Sequence, residues 1–264
     1  MSFISIRQGS APLILSIPHA GTELPEALQP ALVSPWLARK DADWWLPELY
    51  AFAEALDATI IRTKISRTII DVNRDPSGAS LYPGQATTGL CPTETFDGEP
   101  LYRARQEPDD TEILLRRVTY FDPYHEAIAA EISRLRRMHH SIVLYDCHSI
   151  RSEIPRFFPG ILPNFNLGTN DDNACDPTIT DRVAAICGAD PRFTSVVNGR
   201  FKGGYITRHY GNPIDGINAI QMELACRGYM DEPGSPTPVN WPSPLNTPTP
   251  ILSILNTILE SLLP

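Results

Sequence analysis

The sequence predicts an α/β fold, a mostly parallel mixed sheet flanked by helices. Short apolar runs alternate with helical stretches, the signature of a parallel sheet. Several runs end in polar residues and turn formers, and in open α/β sheets ligands collect at such strand ends. The chain of 264 residues is 42% hydrophobic and 20% charged. It is thus long and apolar enough for one sizeable core.

The elements follow in order. Pro12-Leu13-Ile14-Leu15-Ser16-Ile17 is an unbroken apolar run and reads as a buried strand, stopped by Pro18-His19-Ala20-Gly21. Residues 43–56 read as a helix, because Leu46, Leu49, Phe52, Ala53 and Leu56 recur at three and four, and Pro47 is tolerated in a first turn. Residues 59–63 and 68–72 read as two more strands. Residues 74–110, rich in Gly, Pro, Thr and Asp, read as a long loop, and loops of that length are usually functional. Helices are expected near 111–118 and 123–138. A strand is expected over 141–146, ending at Cys147-His148-Ser149. The Asp176-Pro177 pair marks the cap and first position of a helix reaching about Cys187. Residues 217–224 read as a further strand. Seven prolines in 233–250 exclude regular structure there, and 251–263 is an amphipathic helix expected to dock on the body. The reading is one domain over 1–264, with 233–250 as a strap to the last helix.

Composition narrows function. A formal net charge of −9 argues against nucleic acid or anionic membrane as partner. No run approaches the ~18 apolar residues of a membrane span, and the first residues lack a signal-peptide pattern. Five cysteines with no C-x-x-C pair fit a reducing cytoplasm rather than a disulfide framework. Cys147, between Asp146 and His148, is weighed as a catalytic thiol, but a small buried strand residue is the commoner case. H-E-x-x-H, G-x-S-x-G, G-x-G-x-x-G and G-x-x-x-x-G-K are absent.

What remains is chemistry at strand ends. His19 and His148 each follow an apolar run, and two such imidazoles can converge on one zinc ion, whose catalytic sites use three protein ligands. Asp43 or Glu23 is the candidate third ligand. Glu223, late in an apolar run, needs a partner if buried; it reads either as a general base near a metal-bound water or as a strand-end glutamate reaching solvent. Two basic segments stand out in an acidic chain: Arg62-x-Lys64-x-x-Arg67 continuing to Asn73-Arg74, and the stretch from Asn198-Gly199-Arg200 to Arg208-His209. Arginine fits carboxylate oxygens as a fork, so both are candidate anion sites. His125, on a helix, reads as a packing or supporting residue.

Taken together the segments resemble the N-formylglutamate amidohydrolase family. The likeness is carried by Ser16-Ile17-Pro18-His19-Ala20-Gly21-Thr22, Asp41-Ala42-Asp43-Trp44, Ser66-Arg67-Thr68-Ile69-Ile70-Asp71-Val72-Asn73-Arg74 and Leu81-Tyr82-Pro83-Gly84-Gln85. It continues in Thr88-Gly89-Leu90-Cys91-Pro92, Leu144-Tyr145-Asp146-Cys147-His148-Ser149-Ile150, the stretch 198–211 and Tyr229-Met230-Asp231-Glu232. That family is similar to zinc carboxypeptidases and aspartoacylases. The resemblance implies a carboxypeptidase-like fold, zinc on His19 and His148, and Glu223 as the base. It implies substrate contacts from Arg67, Asn73, Arg74, Arg200, Tyr205, Thr207 and Arg208. Thr22 replaces the acid of the carboxypeptidase H-x-x-E pattern, so Asp43 is preferred as third ligand. Trp45 stands where the resemblance leads one to expect His. The implied reaction is hydrolysis of N-formyl-L-glutamate, a step of histidine breakdown. The alternatives are an acylase for another N-acyl amino acid and a catalytically silent anion-binding module. Oligomeric state stays open.

Overall fold

Runs of Leu, Ile and Val that alternate between two buried faces make the strands of this protein, seen in a computed structural model that describes all residues except 1, 82, 83, 85 and 248. Among the described residues the strands are β1 (Ile4–Arg7), β2 (Leu13–Ile17), β3 (Thr59–Thr63), β4 (Ile142–Ile150), β5 (Phe165–Gly168), β6 (Ser195–Val197) and β7 (Ile217–Ala225). They form one sheet in the order β1-β3-β2-β4-β7-β5-β6. The β1–β3 and β7–β5 pairs are antiparallel and the other four are parallel. The helices are α1 (Leu37–Lys40), α2 (Leu46–Leu49), α3 (Asp110–Arg116), α4 (Asp122–Arg136), α5 (Pro177–Cys187), α6 (Tyr205–Tyr210) and α7 (Ile251–Ser261).

Period-two alternation sorts the central strands onto two cores. Leu13, Leu15, Val143, Tyr145, Cys147, Ile220 and Met222 face a cluster closed by α2, α5 and α7. Ile14, Ile142, Leu144 and Ala219 face the other cluster, closed by α4 and Ile206 of α6. On this second face β4 and β7 begin apolar and turn polar toward their carboxyl ends. Leu144 pairs with Ala219, then Asp146 with Gln221, then His148 with Glu223. That change of character within a buried face creates the site.

Several elements differ from expectation. Residues 68–72 form a buried turn, not a strand. Ile69 enters one apolar cluster while Ile70 and Val72 enter another, so their β-branched character serves packing rather than strand pairing. β4 does not stop before Cys147 but runs on through His148 to Ile150, because its polar side chains find partners inside the protein. The helix expected over 43–56 is shorter, α2 followed by a 3₁₀ turn at Ala51–Glu54. α3 and α4 are joined by a widened π turn at Arg117–Phe121. β1, β5, β6, α1 and α6 were not expected from the sequence.

No helix or strand occupies the described residues of 233–250. Indole hydrogen bonds hold this segment, from Trp45 Nε1 to the Ser243 carbonyl at 2.8 Å and from Trp241 Nε1 to the Lys40 carbonyl at 2.8 Å. α7 buries Ile251, Ile254, Leu255, Ile258 and Leu259 in the first core. No helix of the described residues is long and apolar enough to cross a membrane.

Candidate metal and active centre

The turn after β2 delivers His19, the segment before α2 delivers Asp43, and the carboxyl half of β4 delivers His148. One donor atom from each lies within 4.8 Å of the others, and all three residues are buried. His148 Nδ1 lies 3.0 Å from Asp43 Oδ2 and His19 Nδ1 lies 3.7 Å from the same oxygen. Glu23 is exposed and stands outside this group.

The far nitrogens of both rings meet carboxylates. His19 Nε2 is 2.7 Å from Asp71 Oδ1, and His148 Nε2 is 2.9 Å from Asp146 Oδ2. A carboxylate accepts, so each ring carries a proton on Nε2; His19 keeps a lone pair on Nδ1, whereas His148 Nδ1 shares a further proton with Asp43. Arg67 adds 2.7 Å and 3.4 Å contacts to Asp71 and Asp43, and its guanidinium lies over Phe96. The Ser149 amide donates to Asp43 Oδ2 at 3.2 Å. Neither Asp71 nor Asp146 stood out in the sequence as a site residue, because the partner of a carboxylate is set by tertiary placement.

The electrostatics follow from dense burial. Burial works to raise the Asp43 carboxyl, but His148 and His19 outweigh it and hold Asp43 well below the usual range. Burial likewise opposes Asp71 ionisation, and Arg74, His19 and Arg67 overcome it. Burial disfavours the His148 imidazolium, yet Asp146 and Asp43 hold the ring well above its ordinary value. Glu223 moves the other way: burial pushes it up to about 8, against the pull of His148.

Two imidazoles and a carboxylate form the donor set of catalytic zinc sites. The residues fit such an ion. His19 Nδ1 is buried and has no hydrogen-bond partner among the described residues, although it faces the other two donors. An ion there would take up that lone pair and replace the proton now shared by His148 and Asp43. Cys147 is not part of this chemistry. It points into the opposite core, and burial raises its thiol well above the ordinary value, against thiolate formation.

A small cavity opens over the cluster, lined by His19, His148 and Glu223 and by Arg67, Arg74 and Arg200, among others. Arg74 is anchored to Thr88 by its Nε and Nη2 and to the Asn73 carbonyl by Nη1. Arg200 donates to the carbonyls of Phe157 and Ala86. Asn73 lines the cavity, but its Nδ2 donates to Asp146 Oδ2 at 3.1 Å, the oxygen that also accepts from His148 Nε2. Tyr205, Thr207 and Arg208 do not line it. Tyr205 stacks on His209, Thr207 is buried under the turn at Gly203, and Arg208 Nε donates back to the Gly203 carbonyl. Trp45 is likewise outside the cavity, with its indole on Ser243. Tyr82, Pro83 and Gln85 of the 81–85 stretch lie outside the described residues.

The family model for N-formylglutamate amidohydrolase matches residues 11–230. The chain is 45% identical over 229 residues to an N-formylglutamate deformylase of Pseudomonas aeruginosa, covering 87% of this chain and 86% of that protein. It is 44% identical over 229 residues to the Pseudomonas putida N-formylglutamate deformylase, covering 87% and 85%. The crystal structure of an N-formylglutamate amidohydrolase from Ralstonia eutropha JMP134 superposes with a TM-score of 0.79 at 23% identity, over 99% of this chain and 96% of that one. A gene product of Agrobacterium tumefaciens gives 0.68 at 17% identity, over 86% of each chain. With a family model covering most of its length and relatives far above chance identity, the chain belongs to the N-formylglutamate amidohydrolase family.

Proposed function

We propose that the protein hydrolyses N-formyl-L-glutamate to L-glutamate and formate, using a zinc ion, in the cytoplasm and as a step of histidine degradation. The observation that carries this reading is the joint placement of His19, Asp43, His148 and Glu223 under a cavity bordered by arginines. The curated relatives named for this reaction support the substrate.

His19, Asp43 and His148 would hold the ion, with Asp71 and Asp146 fixing the two rings. Bound there, zinc supplies a Lewis acid for the formyl carbonyl and acidifies water. Glu223 lies beside His148 across the β4–β7 pair and is the group placed to take a proton from water and return it to the leaving amine. Its burial, which raises its pKa, suits the return of that proton to the amine. Arg74 and Arg200 are the proposed partners of the two substrate carboxylates. Arg67, already engaged by Asp71 and Asp43, contributes field rather than a fork. Tyr205 contributes through its backbone amide, which donates to the Asn73 carbonyl.

The test is formate release from N-formylglutamate, N-formylglutamine and N-acetylglutamate, before and after metal removal. N-formylglutamate should be the best substrate, and activity should return with zinc. Equal turnover of N-formylglutamine would remove the second carboxylate from recognition. Full activity of metal-free protein would remove the ion.

A further inference from the structure

Gln221 has no place in the chemistry above, yet it lines the cavity and is buried. It lies two residues before Glu223 on the same face of β7, opposite Asp146. Its two amide atoms are not interchangeable. Oε1 lies 2.6 Å from the backbone nitrogen of Gly204, and a backbone N–H can only donate. The oxygen is therefore fixed on that side, and Nε2 must face the other way. There it donates to Glu223 Oε2 at 3.2 Å.

The anchor is shared. Three successive amides at the start of α6 are spent on side chains and backbone of the site: Gly204 on Gln221 Oε1, Tyr205 on the Asn73 carbonyl and Ile206 on Asn73 Oδ1. Asn73 in turn gives its Nδ2 to Asp146, the carboxylate that holds His148. Two amide side chains thus do parallel work, each gripped at its oxygen by α6 and each presenting its nitrogen to a group of the centre. The basic 198–209 segment acts here through its main chain.

We propose that Gln221 is a positioning residue for Glu223: held by Gly204, it fixes the carboxyl by Oε2 and leaves Oε1 to face the cavity and exchange the proton. This rests on the reading of Glu223 as the base. The consequence is specific. Gln221→Met keeps the volume and removes both bonds. Gln221→Glu keeps the shape and the acceptor for Gly204 but loses the donor to Glu223. A residue that only braced α6 would tolerate the second change and suffer from the first.

The experiment measures kcat and KM for N-formylglutamate in wild type, Gln221→Met, Gln221→Glu, Glu223→Gln and the two double variants, with zinc content and Tm for each. Both single changes at 221 should lower kcat by about 10- to 100-fold at nearly constant KM and full zinc content. In the Glu223→Gln background the same changes should have little further effect, because Gln221 acts only through Glu223. Retained kcat in Gln221→Glu, or losses that multiply with Glu223→Gln, would overturn the proposal. Crystal structures of wild type and Gln221→Met give a readout that needs no substrate. The Glu223 carboxyl should hold one rotamer in the wild type and leave it in the variant. An unmoved Glu223 overturns the role of Gln221, whereas wild-type protein inert on N-formylglutamate overturns the substrate and leaves this structural readout decisive.

Discussion

Glu223→Gln removes the proposed base while preserving shape. Turnover should fall by roughly 10²-fold or more, the usual scale for a general base, with zinc content unchanged. Near-normal turnover would exclude Glu223 from the mechanism. Behind the rings, Asp71→Asn removes a carboxylate from His19 Nε2. Such supporting partners are typically worth 10–100-fold in metal affinity, so competition with a chelator should show a loss on that scale. Arg74→Ala should lower kcat/KM by about 10- to 150-fold, the equivalent of one charge-assisted contact of roughly 1.5–3 kcal/mol. Lys at 74 should not restore it, because a point charge cannot reproduce the fork. At this scale the sequence was legible wherever a polar residue followed an apolar run, as with His19, His148 and Glu223. Asp43 and Glu23 stayed open as third ligand until the resemblance favoured Asp43. Asp71, Asp146 and Gln221 stayed hidden, since only the sheet register, and for Asp71 the packing of its turn, shows what they face.

At the scale of elements, α6 owes its position to Gly204. A Cβ there would sit 2.4 Å from Asn73 Nδ2, a side chain already committed at both ends. Gly204→Ala should destabilise by about 1–3 kcal/mol, the usual cost of overpacking, read as a lower urea midpoint at unchanged slope. The loss of zinc affinity should accompany it, because Asn73 must move. Long apolar runs and capped helices were readable: β2, β3, β7 and α5 lie where propensity places them. Short elements were not. β5 and β6 carry four and three residues, too few for periodicity to declare itself. The turn at 68–72 has strand-like composition because burial, rather than pairing, selects Ile and Val there.

Over the whole molecule, pH acts through groups far from the cavity as well. His125 Nε2 donates to the Val72 carbonyl at 2.8 Å, pinning the turn that carries Asp71 and Asn73. Burial lowers its pKa from 6.5 to about 4, with His209 adding to the effect and the Val72 carbonyl, Asp146 and Asp122 opposing it. The unfolded chain therefore binds this proton more readily between those values. Stability from His125 is complete above about pH 6.5 and is lost as pH falls toward 4, by up to about 3 kcal/mol. Urea unfolding of wild type and His125→Gln at pH 7 and 4.5 should show the gap between them narrowing with acid. The comparison separates this share from that of Glu223, whose raised pKa acts in the opposite direction. A constant gap would mean that His125 keeps its ordinary pKa in the folded protein.

The strand order carries one more consequence, concerning time. β7 is the last strand in the chain, yet it lies between β4 and β5, both made earlier. A growing polypeptide cannot close this sheet from one edge to the other. It must leave a gap and fill it last, after a synthesis of roughly 10–45 s for the first 225 residues at ordinary elongation rates. Until then His19 and His148 have no Glu223 beside them and no Gln221 to aim it. A nascent chain halted before residue 217 should therefore expose an open sheet edge to chaperones and release no formate. The finished chain should gain activity in a single late step, when the final strand enters the middle of the sheet.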